Sequence, residues 1–292
     1  MDVVVDADGR LRALAGGAPF NVARTVARLG QECAFVGRLS SDRFGRQLRQ
    51  ALVDAGVRIP VSEPTSLPTT LALAEVDERG NADYRFYQQG TSAAQLTAGD
   101  VPDGVLDGCG VLVLGGLGLT LEPTRTTLLE LVRMAPPQVH VILDPNCRPR
   151  AIDDIDRFRA TMRELMRRAQ LVKVSTDDLA VLMPDRDPTA AAIDLVRAGA
   201  DAVFTTDGPE PIRVTTADAI VTVPVPDVTV VDTIGAGDAF VAGLAAWWHR
   251  HGRAATDDIR TLVDAATAAS AVSAQACTVR GAGLPAAFRW TG

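Results

Sequence analysis

A run of small residues near the carboxyl end of the 292-residue chain constrains its fold more than any other feature. The run is Gly-Ala-Gly at positions 235 to 237, followed directly by an aspartate. A β-branched stretch from 220 to 231 precedes it, and an Ala-rich apolar stretch from 239 to 248 follows it. Apolar stretches on either side of such a break predict a strand, a glycine turn and a helix in that order.

The turn itself predicts an anion site. Gly235, Ala236 and Gly237 carry no bulky side chain, so their backbone N–H groups can converge on one ligand. These groups lie at the positive end of the following helix, which favours a phosphate. Asp238 would repel that ligand, but as a general base it would accept a proton while the amides stabilise the moving charge. The alternative is that Asp238 only caps the helix.

Composition excludes several classes of function. The net charge is −7 and no basic cluster occurs, so nucleic acid is not an expected partner. The longest apolar run, 110–119, is much shorter than the ~20 residues that span a bilayer. The first residues lack the basic start of a signal peptide. The cysteines have no C-x-x-C spacing, which argues against a zinc site and predicts a cytoplasmic protein; they are Cys33, Cys109, Cys147 and Cys277.

Between 92 and 292, apolar strands alternate with amphipathic helices. This alternation predicts a parallel sheet with right-handed crossovers and helices on both faces. The predicted strands are 111–114, 139–143, 171–174 and 202–205, and the predicted helices are 122–134, 155–169, 188–198, 239–250 and 256–276. Earlier in the chain, helices are expected after Pro19 and over 42–55, and a short buried strand over Ala34–Gly37.

A β-hairpin interrupts this alternation. Residues 69–76 and 84–87 read as two strands around the turn 77–80. They cannot join a parallel crossover pattern, so we expect them to pair with the strands near residues 3–14 as a small sheet that lids the site. The predicted division is a large α/β unit and a small β lid, made of 15–68 with 92–292 and of 1–14 with 69–91 respectively.

The motifs resemble those of the ribokinase-like (PfkB-type) carbohydrate kinases. Residues 232–240 resemble the family signature D-T-x-G-A-G-D-x-F, and residues 16–45 resemble its pattern G-G-x-x-x-N-x-A-x-x-x-A-x-L-G followed by G-x-x-x-x-D-x-x-G. The resemblance implies an ATP-dependent kinase with Asp238 as base and Gly235, Ala236 and Gly237 as anion hole. It also implies that Gly16, Gly17 and Asn21 contact the sugar, although a turn and a helix cap would also explain them.

Further site residues follow only from this resemblance. Asp144-Pro145-Asn146-Cys147-Arg148 resembles the family element D-P-N-x-R, in which Arg148 would neutralise phosphoryl charge. The remaining implied contacts are Ser175, Thr206, Gly208 and Ser270 with the nucleotide, Asp178 with Mg²⁺ through water, and the carbonyls of Asp232 and Ile234 with K⁺. Departures from the family pattern at Ser175 and Asp178 also allow helix capping by this pair.

The substrate is predicted from residues 16–21 and 86–91, which are similar to those of bacterial fructokinases. Tyr87 and Gln88 would line the sugar site. Kinases of keto-deoxy sugar acids tend to carry an arginine near position 88, and the neutral Gln88 cannot form a charge-assisted bond to a carboxylate. We therefore expect a neutral sugar such as fructose, with 2-keto-3-deoxygluconate or a nucleoside as alternatives. The resemblance also implies a homodimer that buries the lid.

Two other classes remain as rivals. A dinucleotide-dependent oxidoreductase would need G-x-G-x-x-G after its first strand, whereas the glycine turn here comes late in the chain. A catalytically weak sugar-binding regulator would keep the fold without turnover, and the retained Asp238 argues against it. No G-K-[ST] sequence occurs, so a P-loop nucleotidase is excluded.

The start of the chain also departs from the family. Relatives begin with a central strand that ends at a sugar-binding aspartate, and here only Asp2 can match that residue. The resemblance therefore predicts roughly ten more apolar residues upstream, because a central strand satisfies backbone groups that would otherwise each cost ~1–3 kcal/mol. The binding role of Asp2 depends on this expectation.

Overall fold

The computed structural model describes residues 1–5, 9–76, 82–251, 256 and 258–292. Its strands are β1 (Asp2–Val5), β2 (Leu11–Leu14), β3 (Leu71–Val76), β4 (Ala82–Tyr87), β5 (Val111–Gly115), β6 (His140–Asp144), β7 (Leu171–Ser175), β8 (Ala202–Asp207), β9 (Glu210–Thr215) and β10 (Ile220–Val223). Its helices are α1 (Ala18–Arg28), α2 (Arg43–Asp54), α3 (Thr124–Met134), α4 (Ile155–Met166), α5 (Thr176–Leu182), α6 (Pro188–Arg197), α7 (Ala236–His251) and α8 (Ile259–Ala276). None of the helices within these ranges has the length and apolar character needed to cross a membrane.

The larger sheet has six strands in the order β10-β9-β8-β7-β6-β5. Strands β5 to β8 are parallel because at least one helix returns the chain between each strand and the next. Strands β9 and β10 are antiparallel because short turns connect β8, β9 and β10. The predicted mostly parallel sheet is therefore confirmed.

Helices cover both faces of this sheet, as the alternation of strands and helices predicted. Side chains alternate across each strand, so Val141 and Leu143 pack on the side of α4, whereas Ile142 packs on the side of α7 and α8. Both clusters are almost fully buried. The large sheet therefore has an apolar core on each of its faces.

The smaller sheet has the order β2-β1-β3-β4. Strand β1 is antiparallel to β2 and parallel to β3, and β3 and β4 form the predicted hairpin, with Leu71 opposite Tyr87. The hairpin turn predicted at 77–80 and most of the turn predicted at 6–9 lie outside the described residues. A small sheet separate from the large one completes the predicted fold class.

The strand predicted over Ala34–Gly37 is wrong. In the described chain this segment forms a single parallel bridge, between Ala34 and Arg58, and no ladder. A strand needs a hydrogen-bonded neighbour along its length. Between this segment and the edge strand β5 lies a cleft of about 310 Å³, lined mainly by apolar side chains of β5, α1 and α7.

The strand predicted to lead directly into the glycine turn is also too long. Strand β10 ends at Val223, just before Pro224 and Pro226. Proline has no N–H group to donate to a ladder, so the sheet stops there. The chain then runs without regular structure to Val231, whose N–H group donates to the carbonyl of Cys277.

Candidate active site

The glycine turn has the conformation that its sequence requires. Gly235 has φ +80°, a left-handed value, and a Cβ atom at this position would lie 2.6 Å from the Cβ atom of Ala282. Helix α7 begins at Ala236, and the first N–H groups of a helix lack acceptors within the helix. The turn therefore offers an anion a positive helix end, although the Ala236 N–H group donates to the carbonyl of Thr233 at 3.2 Å.

A carboxylate before the turn holds it in place. Asp232 accepts hydrogen bonds from the backbone N–H groups of Ile234 at 3.0 Å and Gly281 at 2.8 Å. On the helical side, the Ser273 hydroxyl donates to the carbonyl of Ala236 at 2.9 Å. The Asp232 side chain is thus used within the protein, which leaves only its carbonyl for the predicted K⁺ contact.

Asp238 lies in the first turn of α7 and is 7% exposed. Its Oδ2 accepts a hydrogen bond from Nδ2 of Asn21 at 2.8 Å, and its Oδ1 accepts one from Nδ2 of Asn146 at 3.3 Å. Burial raises the pKa of Asp238 to about 7, although the Asn21 bond and the charges of Lys173 and Arg148 oppose the rise. A buried carboxyl with fixed orientation and a pKa near neutrality can accept a proton.

Asn21 reaches Asp238 because α1 packs against α7. Gly17 forms the N-cap of α1 with φ +124°, a value that favours glycine, and Pro19 occupies the first helical turn. Asn21 is 6% exposed, and its Oδ1 atom has no hydrogen-bond partner among the described residues. This buried oxygen next to Asp238 can accept a hydrogen bond from a bound hydroxyl group.

Gly16 and Asp2, two further predicted sugar contacts, lie against each other. A Cβ atom at Gly16 would be 1.9 Å from Oδ2 of Asp2, so the Asp2 carboxylate occupies the space that any larger side chain would need. Burial raises the pKa of Asp2, opposed by the positive charges of the chain terminus and of Arg148. Arg148 also lowers the pKa of Asp238. The positive charge of Arg148 therefore acts on both Asp2 and Asp238.

The loop after β6 is attached to α5 through Asp178. Oδ1 of Asp178 accepts from the Cys147 N–H group at 2.7 Å, and Oδ2 accepts from the N–H and hydroxyl groups of Ser175 at 2.8 and 2.7 Å. Asp178 and Ser175 thus form a capping box, which is the alternative considered from the sequence. The predicted contact of Asp178 with Mg²⁺ stays a prediction.

The other predicted residues lie at the ends of the sheet and on α8. The Thr206 hydroxyl donates to the carbonyl of Val174 at 3.4 Å, and Gly208 has φ +55° in the turn between β8 and β9. The hydroxyl of Ser270 is buried without a partner in the described structure. Their predicted contact with the nucleotide remains untested by this geometry.

Two predicted sugar contacts lie at the end of strand β4, Tyr87 as its last residue and Gln88 directly after it. Tyr87 is 56% exposed. Gln88 is buried, and its Nε2 donates to the carbonyl of Ala151 at 2.9 Å, while its Oε1 is buried without a partner in the described structure. No ionised group is therefore contributed by either position.

Sequence reasoning missed three residues at this site. Asn146, with φ +44°, binds Asp238 directly, and it stands within the D-P-N-C-R motif that singled out Arg148. Asp144 and Lys173 form a buried ion pair, with 3.4 Å between Oδ1 and Nζ. The signal for Lys173 was that it is the single lysine among 29 lysine and arginine residues.

A metal ion bound by protein alone needs several ligating side chains close together. Within the residues that the structure describes, no group of three or more His, Cys, Asp or Glu side chains has the arrangement of a metal site. The acidic residues Asp144, Asp178 and Asp238 nevertheless make this region attractive to a cation that arrives with other ligands.

Comparison with known proteins identifies relatives over almost the entire chain. Residues 2–288 match the family model described as pfkB family carbohydrate kinase. A fructokinase of Rhizobium leguminosarum bv. trifolii is 36% identical over 232 residues, which cover 80% of this chain and 71% of that protein.

Two solved structures have the same fold. Aminoimidazole riboside kinase from Salmonella enterica, complexed with aminoimidazole riboside and an ATP analog, has a TM-score of 0.83 at 30% identity and covers 96% of this chain and 91% of its own. Fructokinase from Vibrio cholerae O395 in its fructose-, ADP- and calcium-bound form has a TM-score of 0.83 at 27% identity, with 96% and 92% covered. With the glycine turn, the buried aspartate and a family match from residue 2 to residue 288, this chain belongs to the pfkB family of carbohydrate kinases.

Proposed function

We propose that this kinase transfers the γ-phosphoryl group of ATP to a hydroxyl group of a neutral sugar, with fructose as its best acceptor. One observation carries the proposal: Asp238 is buried at the first turn of α7 and held on both carboxylate oxygens by Asn21 and Asn146. A helix cap would not need a carboxylate oriented by two amides from other parts of the chain. A general base does need this orientation.

The residues divide the reaction between them. Asp238 accepts the proton of the attacking hydroxyl group, and Asn21 orients both Asp238 and, through its unpartnered Oδ1, the sugar. The N–H groups of Gly235, Ala236 and Gly237 stabilise the phosphoryl oxygens at the start of α7. Arg148 adds positive charge on the same side. Catalysis of this kind consists of positioning and electrostatic stabilisation.

Magnesium fits this site as a companion of the nucleotide. The side chains form no closed cage, and Mg²⁺ is commonly held by one or two carboxylates together with substrate phosphates. Asp178 would hold it through water, and the ion would neutralise phosphate charge. For K⁺, the proposed ligands are the carbonyls of Asp232 and Ile234, beside the turn that the Asp232 carboxylate stabilises.

The choice of a neutral sugar depends on Gln88. A sugar acid requires a cation at its carboxylate, and Gln88 supplies only a neutral amide. The Rhizobium relative and the Vibrio structure are both named fructokinase, which favours a hexose. The Salmonella structure, with aminoimidazole riboside bound, makes a riboside the second candidate.

We include the small sheet in the proposal as a lid over the sugar, formed by 1–14 and 69–91 beside a large unit of 15–68 and 92–292. Strand β1 contributes Asp2, and β4 ends at Tyr87, just before Gln88. Large apolar side chains are exposed on this sheet, among them Leu11 at 68% and Tyr84 at 39%. Two copies pairing through the lid would cover them, and sedimentation equilibrium of the wild type and of Leu11→Glu tests this.

The experiment that tests the function is a measurement of ADP release with a panel of acceptors. The panel contains fructose, glucose, ribose, aminoimidazole riboside, adenosine and 2-keto-3-deoxygluconate, each with ATP and Mg²⁺. The proposal expects the highest kcat/KM for fructose. The highest value for the riboside or for the keto-deoxy acid would contradict the proposed substrate, and sugar binding without ADP release would indicate the regulator instead.

A further inference from the structure

The single lysine of the chain lies in the centre of the site. Every other member of the 29 lysine and arginine residues is arginine, so lysine at position 173 stands against a strong preference of this chain. Lys173 is 5% exposed, and its Nζ lies 3.4 Å from Oδ1 of Asp144. Buried lysines are rare and need a partner.

The sheet explains where Lys173 points. Strands β6 and β7 pair Ile142 with Leu171 and Leu143 with Val172, which brings the next residues, Asp144 and Lys173, side by side. Because side chains alternate, both point toward α7, as Ile142 and Leu171 do. There, a Cβ atom added at Gly237 would lie only 3.1 Å from Nζ of Lys173. The ammonium group is thus packed beneath the glycine turn.

The carboxylates around Lys173 carry negative charge that its ammonium group helps to balance. Asp144, Asp178 and Asp238 are all buried, and all three carboxylates act on Lys173. Burial lowers the pKa of Lys173, but these carboxylates outweigh it and hold the pKa above its usual value. Arg148 also acts on both Asp144 and Asp238.

We propose that Lys173 is a positioning residue of this kinase: its ammonium group fixes the Asp144 carboxylate and supplies the compact positive charge beneath Gly237 that keeps Asp238 available as a base. The proposal rests on the proposed role of Asp238. Arginine is not equivalent there, because a planar guanidinium is larger than an ammonium group and spreads its charge, and Nζ of Lys173 already lies 3.1 Å from where a Cβ atom at Gly237 would be.

Opposite shifts in pH dependence distinguish positioning from mere structural support. Lys173→Met removes a charge that lowers the pKa of Asp238, and Asp144→Asn removes one that raises it. Both variants should lose thermal stability, since each leaves a buried charge without its partner. The acid limb of kcat/KM should nevertheless move up in Lys173→Met and down in Asp144→Asn, each by about one pH unit.

The double variant Lys173→Met with Asp144→Asn is the control for misfolding of the single variants. It contains no unpaired charge at the two positions, so it should regain most of the thermal midpoint and an acid limb close to that of the wild type. Lys173→Arg should retain the charge but lose activity. As a control, Arg133→Met removes a solvent-exposed ion pair with Glu164 and should leave the acid limb unchanged.

A second readout works without turnover. Asp238 has a pKa raised in the folded protein from 3.8 to about 7, so its ionisation destabilises the fold as pH rises between these values. The thermal midpoint of the wild type minus that of Asp238→Asn should therefore fall as pH rises across this window and level off near pH 7. The same comparison with Asp238→Asn is then made in the Lys173→Met and Asp144→Asn backgrounds. The pH at which the difference in thermal midpoint levels off should move up with Lys173→Met and down with Asp144→Asn. If these pH values stay in place, or move in the same direction in both backgrounds, the role of Lys173 is overturned. If they move as expected but no ADP is released, only the proposed function is overturned.

Discussion

The side-chain amide of Asn21 donates a 2.8 Å hydrogen bond to the carboxylate of Asp238, although 217 positions separate the two residues. Both ends of the bond are buried. The packing of α1 against α7 makes this contact, so the glycine–asparagine pattern near the beginning of the chain and the glycine turn near its end form one site. The proposed role of Asp238 as a base therefore depends on residues from both ends of the chain.

Removal of the Asn21 amide should weaken the base. Asn21→Ala loses a hydrogen bond that lowers the pKa of Asp238, so the acid limb of kcat/KM should move to higher pH. A hydrogen bond to a charged group is worth about 1.5–3 kcal/mol, which predicts roughly a 10- to 100-fold fall in kcat/KM at neutral pH. Gln50→Ala is the matched control, because the side-chain amide of Gln50 donates a 2.7 Å hydrogen bond to the Asp54 carboxylate on the exposed surface of α2. An unshifted acid limb in Asn21→Ala would contradict this role.

The rate of the wild type should depend on pH with a known sign. Asp238 acts as a base only when it is ionised, and its pKa is about 7 in the folded chain. kcat/KM should therefore rise as pH increases toward 7 and level off above it. ADP release measured between pH 5 and 9 checks this. A rate already at its plateau at pH 5 would mean that no group with this pKa acts as the base.

Much of the site could be predicted because its signals are local. The glycine turn, Asp238, Gly17 and Asn21 stand in short motifs whose backbone requirements are visible in the residues themselves. The alternation of apolar strands with amphipathic helices in the same way predicted the parallel strands β5 to β8 and the helices on both faces of their sheet, whereas β9 was not predicted.

Two of the misses have a common cause, since they depend on neighbours in space. Ala34–Gly37 has the composition of a strand, but no strand lies beside it in the described structure, so only one bridge forms. The ion pair of Asp144 with Lys173 arises from the register of β6 and β7, which no local pattern encodes. The end of β10 was a different error, because Pro224 and Pro226 were visible in the sequence.

The glycine turn offers a test of the anion site. Gly235→Ala forces a side chain into a left-handed backbone conformation and against Ala282, 2.6 Å away. Strain of this kind costs of order 1–3 kcal/mol, so the variant should be less stable and its KM for ATP should rise. Gly283→Ala is the control, since a Cβ atom there meets nothing within 4 Å and the φ of Gly283 lies outside the left-handed region. Unchanged stability and KM for ATP in Gly235→Ala would contradict the predicted role of the turn.

The substrate preference can be tested at Gln88. Gln88→Arg adds a cation where the neutral amide now lies, so activity with 2-keto-3-deoxygluconate should rise relative to fructose. Gln89→Arg is the matched control: Gln89 is exposed, its amide binds Asp153 at 2.9 Å, and the added charge stays in solvent. The ratio of kcat/KM for the two sugars is the measurement. A wild type that already prefers the keto-deoxy acid would refute the role given to Gln88.

The most direct test of the base is Asp238→Asn, measured by ADP release with fructose at saturating ATP and Mg²⁺, alongside ATP binding by calorimetry. Asparagine keeps the size of the side chain and can still cap α7, but it cannot accept the proton. ATP binding should persist or tighten, because a negative charge near the phosphates is gone. If Asp238 is the base, kcat should fall by about 10² or more, whereas a kcat within about threefold of the wild type would contradict it.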